Sequence, residues 1–296
     1  MKIIIPMSGI GKRFIDAGYE RPKPLVRVNG KPIIEHVVSA FPGDHDFIFI
    51  CNREHLDNTD MWSVLKKVKP TSKIVCIEPH KKGPVFAVTN IFDDIDDDEE
   101  LIVSYCDYYM EWDFDNFMEK VKGGEFSGAV PCYSGFHPHL LHSNLYAGVL
   151  VDDLGVMKDI KEKHSFTKNP VESHHSPGVY YFKKGADFKK YSMELLDSGL
   201  DLNGETYTSM LYYLYLRDKH KIYVPEVERF VQFGTPEDLE EFEAWSRYFA
   251  QIMGKKKLVT DIPLNREPKI NIFIPKESED FRKIRNYWES YFIKTL

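Results

Sequence analysis

The first half of the chain alternates short apolar runs with amphipathic stretches. Residues 2–5, 46–51, 73–77 and 101–106 read as strands whose apolar positions are continuous rather than alternating. Continuous runs suit strands covered on both faces. Helical patterns lie between them, at 33–38 and from Val85 onward. Strands alternating with helices predict a layered α/β domain around a mostly parallel sheet.

From about residue 126 the pattern changes. Residues 128–133, 146–151 and 178–182 read as strands between polar loops, which predicts a mixed sheet continuing the same domain. Helices are expected at 186–198 and 205–218, and a strand at 222–224. Another helix runs from Pro236 to about Met253, with Thr235 as its N-cap. The acidic run 93–100 reads as a solvated loop. Beyond residue 254 the chain turns polar around Pro263 and Pro268, then offers a strand at 270–274 and a closing helix. The expected organisation is a main domain, 1–253, and a small C-terminal extension, 254–296.

Composition narrows the function. A net charge of −7 argues against a general duplex-binding protein, whose affinity rests on excess Lys and Arg. No apolar run reaches the length of a spanning helix, and the apolar stretch at the N-terminus is too short for a secretion signal. The cysteines Cys51, Cys76, Cys106 and Cys132 are widely spaced and sit mostly in apolar runs, so buried free thiols are expected. Together these predict a cytoplasmic protein with neither nucleic acid nor membrane as partner.

Candidate chemistry concentrates in residues 4–32. A buried strand runs into Ser8-Gly9-Ile10-Gly11-Lys12-Arg13, where glycines let backbone N–H groups approach an anion. Lys23 follows, stiffened between Pro22 and Pro24. Two fixed cations, Arg13 and Lys23, with a nest of amides can hold a triphosphate and balance charge on a leaving pyrophosphate. The P-loop pattern is absent, since no Gly-Lys-Ser/Thr follows at the right distance. The dinucleotide fingerprint is absent too, because its third glycine is missing.

Gly9-Ile10-Gly11-Lys12-Arg13, Pro22-Lys23-Pro24-Leu25 and Gly30-Lys31-Pro32, in this order and spacing, resemble the signature of sugar-phosphate nucleotidyltransferases, also called nucleotide-sugar pyrophosphorylases. The resemblance runs to about residue 245 and is nearest to the capsule and surface-polysaccharide branch. It implies an α/β, three-layer, Rossmann-like (GT-A-like) fold with a mixed, centrally parallel sheet. It also implies transfer of a nucleoside monophosphate from an NTP to a phosphorylated small-molecule acceptor, first of all a sugar 1-phosphate, with Mg2+ as cofactor.

Carried over by position, the resemblance makes Arg13 and Lys23 the catalytic cations. It puts Ser8, Gly9, Gly11, Lys12 and Gly83 on the nucleotide, and Asp107 on both the nucleotide and Mg2+. Lys163 would hold the acceptor phosphate, while the Gly178 backbone and the Glu205 carboxylate would touch the sugar. Two departures stand out: Gln232 replaces the second metal-binding aspartate, and Met7-Ser8-Gly9 replaces Ala-Gly-Gly.

Other readings remain beside this one. A family-2-like glycosyltransferase would use the same fold for a finished nucleotide-sugar, and Gln232 would suit a catalytically weak nucleotide-binding or regulatory protein. His137, His139 and His142 lack matching cysteines or carboxylates, so a substrate-facing or surface loop is expected rather than zinc. Asp113-Phe114-Asp115 has the Asp-x-Asp form, but Asp113 is better placed as a helix N-cap. Oligomeric state is open, with the extension from residue 255 offering a contact surface for a homo-oligomer.

Overall fold

In a computed structural model the apolar runs form a seven-stranded sheet. Its strand order is Ile222–Tyr223, Gly128–Ala129, Val179–Phe182, Leu101–Ser104, Lys2–Met7, Asp46–Asn52 and Lys73–Ile77. The structure describes residues 1–141, 146–256, 258–268 and 278–295. Lys2–Met7 pairs in parallel with both Asp46–Asn52 and Leu101–Ser104. Val179–Phe182 is antiparallel to both neighbours, so the sheet is mixed while its centre stays parallel.

Alternate residues of the central strands face opposite layers. Ile4, Ile48, Ile50 and Val103 pack with helices Pro84–Thr89, Gly185–Ser198 and Ser209–Arg217. Ile3, Ile5, Phe49 and Ile102 pack with helices Ile33–Val38, Met61–Val68 and Phe114–Lys122. This is the expected three-layer Rossmann-like fold, and burial on both faces explains the continuous apolar runs.

The chain leaves Lys2–Met7 toward one side of the sheet and returns later on the other, at Leu101–Ser104. The carboxyl ends of these two strands flank a topological switch point, where open α/β sheets bind ligands. Two smaller sheets frame it. Met157–Lys161, Gly148–Val151 and His174–His175 form one, and Tyr108–Glu111 pairs with Arg229–Gln232 in the other.

The helix Pro236–Ile252 starts at Thr235 with a full capping box completed by Asp238. A third core cluster joins Phe14, Val28 and Phe233 to Phe242 and Trp245 of this helix and to Trp288 and Phe292 of helix Glu279–Thr295. The strand expected at 270–274 lies outside the described residues. Asp113 caps helix Phe114–Lys122 as expected, accepting from the Asn116 N–H at 3.0 Å.

Three expectations change. The helix expected at 205–218 begins only at Ser209, because hydrogen bonds from Thr206 to the Lys82 carbonyl hold the preceding residues in a loop. The strand expected at 128–133 shortens to Gly128–Ala129, with isolated bridges at Cys132 and Tyr133 beyond Pro131. Cys51, Cys106 and Cys132 are buried free thiols, but Cys76 is exposed because its strand forms the sheet edge. Among the described residues no helix is long and apolar enough to cross a membrane.

Candidate active site

Strand Lys2–Met7 ends in the loop that carries Ser8, Gly9 and Gly11, and the polypeptide after Leu101–Ser104 delivers Asp107 opposite. Lys23 closes the gap between them. Its Nζ lies 2.7 Å from Asp107 Oδ2, with side-chain exposures of 22% and 27%. Burial alone would lower the Lys23 pKa, but the Asp107 carboxylate overcomes it and the net shift is upward. The ion pair therefore sits in the cleft as a charged, half-covered unit.

Two cavities open from it. The first, about 270 Å3, is walled by Ser8, Gly9, Gly11, His80, Gly83 and Ala87. The second, about 430 Å3, is lined by Lys12, Arg13, Tyr146, Lys163, Gly178 and Asp238. Gly11, Lys23, Tyr105, Asp107, Glu205 and Tyr207 line both. The candidate residues thus converge on one bipartite cleft. Arg13 lines only the second cavity; its carbonyl accepts from the Ala17 N–H at 3.1 Å, and among the described residues its guanidinium makes no hydrogen bond or ion pair. Lys12 also reaches this cavity, while its ammonium pairs with Asp16 at 2.8 Å on the exposed face of helix Lys12–Asp16.

Local backbone explains why the glycines are where they are. A Cβ on Gly83 would meet Thr206 O at 2.5 Å and Thr206 N at 2.6 Å, and its φ is +87°. Glycine is needed there both for conformation and for the close pass of residues 205–207. At Gly178 (φ +92°) a Cβ would lie 2.6 Å from the Tyr105 ring, so glycine lets that ring form the shared wall.

Several site residues carry no local signal in the sequence. Ser8 Oγ meets His80 Nε2 at 3.0 Å, and His80 Nδ1 accepts from the Lys82 N–H at 3.2 Å. That leaves the proton on Nε2, donated to Ser8. Burial, helped by Lys82, lowers the His80 pKa and keeps the ring neutral. Asp238 was not singled out by the sequence, which named only Thr235 as the cap of this helix. Burial pushes its carboxyl up to about 7 against hydrogen bonds from Thr235 that pull it down, with Glu241 and Asp107 adding to the rise.

Gln232 sits opposite Tyr108 in the two-stranded sheet, next to Asp107, whose carbonyl accepts from the Phe233 N–H at 2.7 Å. The Gln232 amide is committed at both ends: Oε1 accepts from Tyr146 OH at 2.5 Å, and Nε2 donates to Asp238. The histidines form a different environment. His139 Nε2 lies 2.8 Å from Tyr133 OH, and the His137 ring packs 4.4 Å from that of Tyr133. Burial pushes the His137 pKa down to about 4, so the ring is neutral at pH 7. His142 lies outside the described residues. Among the described residues no group of three or more His, Cys, Asp or Glu side chains could hold a metal ion.

A glycine-bearing loop, a lysine–aspartate pair and two adjoining cavities stand at the switch point of the sheet, where open α/β proteins bind their ligands. The profile of the MobA-like NTP transferase domain matches residues 3–172, more than half of the chain, and the chain belongs to that family. A glucose-1-phosphate cytidylyltransferase of Salmonella typhimurium is 38% identical over 53 residues, 17% of this chain and 21% of that protein. The bifunctional protein GlmU of Methanocaldococcus jannaschii is 25% identical over 185 residues, 62% of this chain and 40% of that protein. The chain therefore spans well under half the length of these relatives.

Solved structures share the fold more completely. A nucleoside-diphosphate-sugar pyrophosphorylase from Vibrio cholerae RC9 superimposes with a TM-score of 0.64 at 19% identity, covering 81% of this chain and 98% of that one. An inositol-1-phosphate CTP transferase from T. maritima gives a TM-score of 0.59 at 15% identity, covering 80% and 90%. At these identities the likeness speaks for the GT-A-like fold alone.

Proposed function

We propose that this chain transfers a nucleoside monophosphate from an NTP to a phosphorylated acceptor, first of all a sugar 1-phosphate, and releases pyrophosphate. The product would be an activated precursor for surface polysaccharide. The observation that carries this reading is the bipartite cleft: two cavities share the Lys23–Asp107 pair, as two phosphorylated substrates meeting at one phosphorus require. The names of the Salmonella and Vibrio relatives point to the same substrate class.

In this scheme the NTP lies along Ser8–Gly11 with its base toward His80 and Gly83. The acceptor enters beside Lys163, Gly178 and Glu205. An acceptor phosphate oxygen attacks the α-phosphorus in line, forming a new P–O bond. The bond from that phosphorus to the bridging oxygen breaks, and its electron pair leaves with pyrophosphate. The phosphate nucleophile is already ionised at pH 7, so catalysis reduces to positioning and charge neutralisation. Lys23 and Arg13 supply positive charge on the two sides of the reacting phosphorus.

A divalent cation fits one part of the cleft. Gly234 has no side chain, and a Cβ there would lie 3.4 Å from Asp107 Oδ2 and 3.8 Å from Asp238 Oδ2. Asp107 would hold Mg2+ in that space, with phosphate oxygens completing its oxygen shell. Bound there, the ion would neutralise charge on the α-phosphate. Lys23 would then turn from Asp107 to the phosphates.

The test is release of pyrophosphate from each NTP in the presence of sugar 1-phosphates, with and without Mg2+. Acceptor-dependent pyrophosphate, equal in amount to a product in which a nucleoside diphosphate is joined to the acceptor, supports the reading. Nucleoside diphosphate released from a nucleotide-sugar, with no pyrophosphate from any NTP, favours a glycosyltransferase.

A further inference from the structure

Tyr207 lines both cavities, and nothing in the scheme above uses it. Its hydroxyl donates to the Glu205 carboxylate and accepts from Lys163 Nζ at 3.0 Å. The same ammonium lies 4.8 Å from the centre of the Tyr207 ring, a cation–π contact. Lys163 itself has a φ of 51°, a left-handed conformation uncommon for a residue with a long side chain. Its neighbour Glu162 is fixed by Ser209 Oγ, which donates at 2.5 Å.

The segment bearing Tyr207 is pinned on its other side to the nucleotide loop. Thr206 N and Oγ1 both donate to the Lys82 carbonyl, at 3.0 and 2.9 Å, and the Val85 N–H donates to Thr206 O at 3.3 Å. One short strap thus holds the 82–85 segment, whose Gly83 walls the first cavity, through Thr206, and meets the cation of the second cavity through Tyr207.

We propose that Tyr207 is a positioning residue that presents Lys163 to the acceptor's phosphate and ties that cation to the nucleotide loop through residues 205–207. The acceptor's identity as a phosphate compound rests on the function proposed above. An ammonium has three N–H donors; the Tyr207 oxygen takes one and leaves two for an anion. Glu205 accepts the hydrogen bond from the Tyr207 O–H, so the hydroxyl's lone pairs are left to face Lys163. Fixing a long, flexible side chain before the anion arrives removes an ordering cost from the binding step.

Inorganic phosphate is the probe, titrated into the full chain as wild type, Tyr207→Phe, Lys163→Ala and the double variant. NTP binding and melting temperature are followed in parallel. Tyr207→Phe keeps the ring and loses the hydroxyl. The expected result is a phosphate Kd raised about five- to tenfold, unchanged NTP binding and unchanged melting. On the Lys163→Ala background the same substitution has no further effect, because the two residues act as one unit. In turnover the loss falls on the acceptor KM and not on the KM for NTP.

Phosphate binding that ignores Tyr207→Phe, losses that add in the double variant, or phosphate binding that does not depend on Lys163 would each overturn the proposal. The proposed reaction fails separately. If phosphate behaves as expected but no NTP yields pyrophosphate, the Tyr207–Lys163 coupling stands and the nucleotidyl transfer falls.

Discussion

The cavity proposed for the nucleotide takes much of its wall from two stretches, the glycine loop after the first strand and the turn into helix Pro84–Thr89 with His80 beside it. The acceptor cavity is assembled otherwise. Beyond the residues shared by both cavities, Lys12, Arg13, Tyr146, Lys163, Gly178 and Asp238 come to it from separate segments, and most of them carry long or polar side chains. A backbone cradle needs glycine at set positions and tolerates little change. A cavity built from side chains can change what it accepts residue by residue while the fold stays put. The comparison suggests one fixed half for the NTP and one adaptable half for the acceptor.

The largest expected effect falls where the halves meet. Lys23→Ala leaves the partly buried Asp107 carboxylate without its partner and removes charge from the leaving group. Turnover should drop about 100-fold, and Arg13→Ala should cost at least about tenfold, both read as pyrophosphate release with melting little changed. Loss of folding in place of loss of turnover would make the pair structural and dissolve the contrast between the halves.

On the nucleotide side, Gly83→Ala and Gly9→Ala separate fold from binding. A methyl on Gly83 collides with the Thr206 backbone, whereas one on Gly9 meets nothing within 4 Å. Denaturant unfolding should show Gly83→Ala destabilised by about 2–4 kcal/mol. Gly9→Ala should unfold like wild type yet bind NTP more weakly, because its methyl occupies the ligand's approach. Equal unfolding curves for the two would contradict the strap over Gly83.

On the acceptor side, Lys163→Ala should raise the acceptor KM about tenfold and leave the KM for NTP unchanged, as loss of one charged hydrogen bond implies. A matching rise in both constants would mean that the halves are not independent. The smallest effect belongs to Gln232→Asp. A carboxylate beside Asp107 should lower the Mg2+ concentration for half-maximal activity about threefold, measured by titrating the metal at fixed NTP. No change would mean that Asp107 and the phosphates suffice.

How much was legible follows the same division. The strands at 2–5 and 46–51 were readable because both their faces are buried, which leaves unbroken apolar runs; 73–77 kept such a run although, at the sheet edge, it is only partly covered. The loop after the first strand was readable from Gly9 and Gly11, but it ends at Gly11, because Lys12 and Arg13 already belong to helix Lys12–Asp16. The start of helix Ser209–Arg217 was misplaced because the bonds that hold Thr206 extended come from Lys82, more than a hundred residues away. His80 and Tyr207 were missed for the same reason: each acts through a partner distant in the chain, Ser8 for one and Lys163 for the other. The histidines near 137 show the converse. They were read as a substrate-facing or surface loop rather than zinc, but His137 is buried against the rings of Tyr133 and Tyr287, and that burial lowers its pKa.

The central claim is that the cleft joins an NTP to a phosphorylated acceptor. The most direct measurement follows α-32P-labelled NTP with a sugar 1-phosphate and Mg2+, resolving products and pyrophosphate together. The expected result is label in a nucleoside diphosphate joined to the acceptor, with one pyrophosphate released per label transferred and neither formed without the acceptor. Label that stays in the NTP with every acceptor, while an unlabelled nucleotide-sugar is consumed to nucleoside diphosphate, would contradict it.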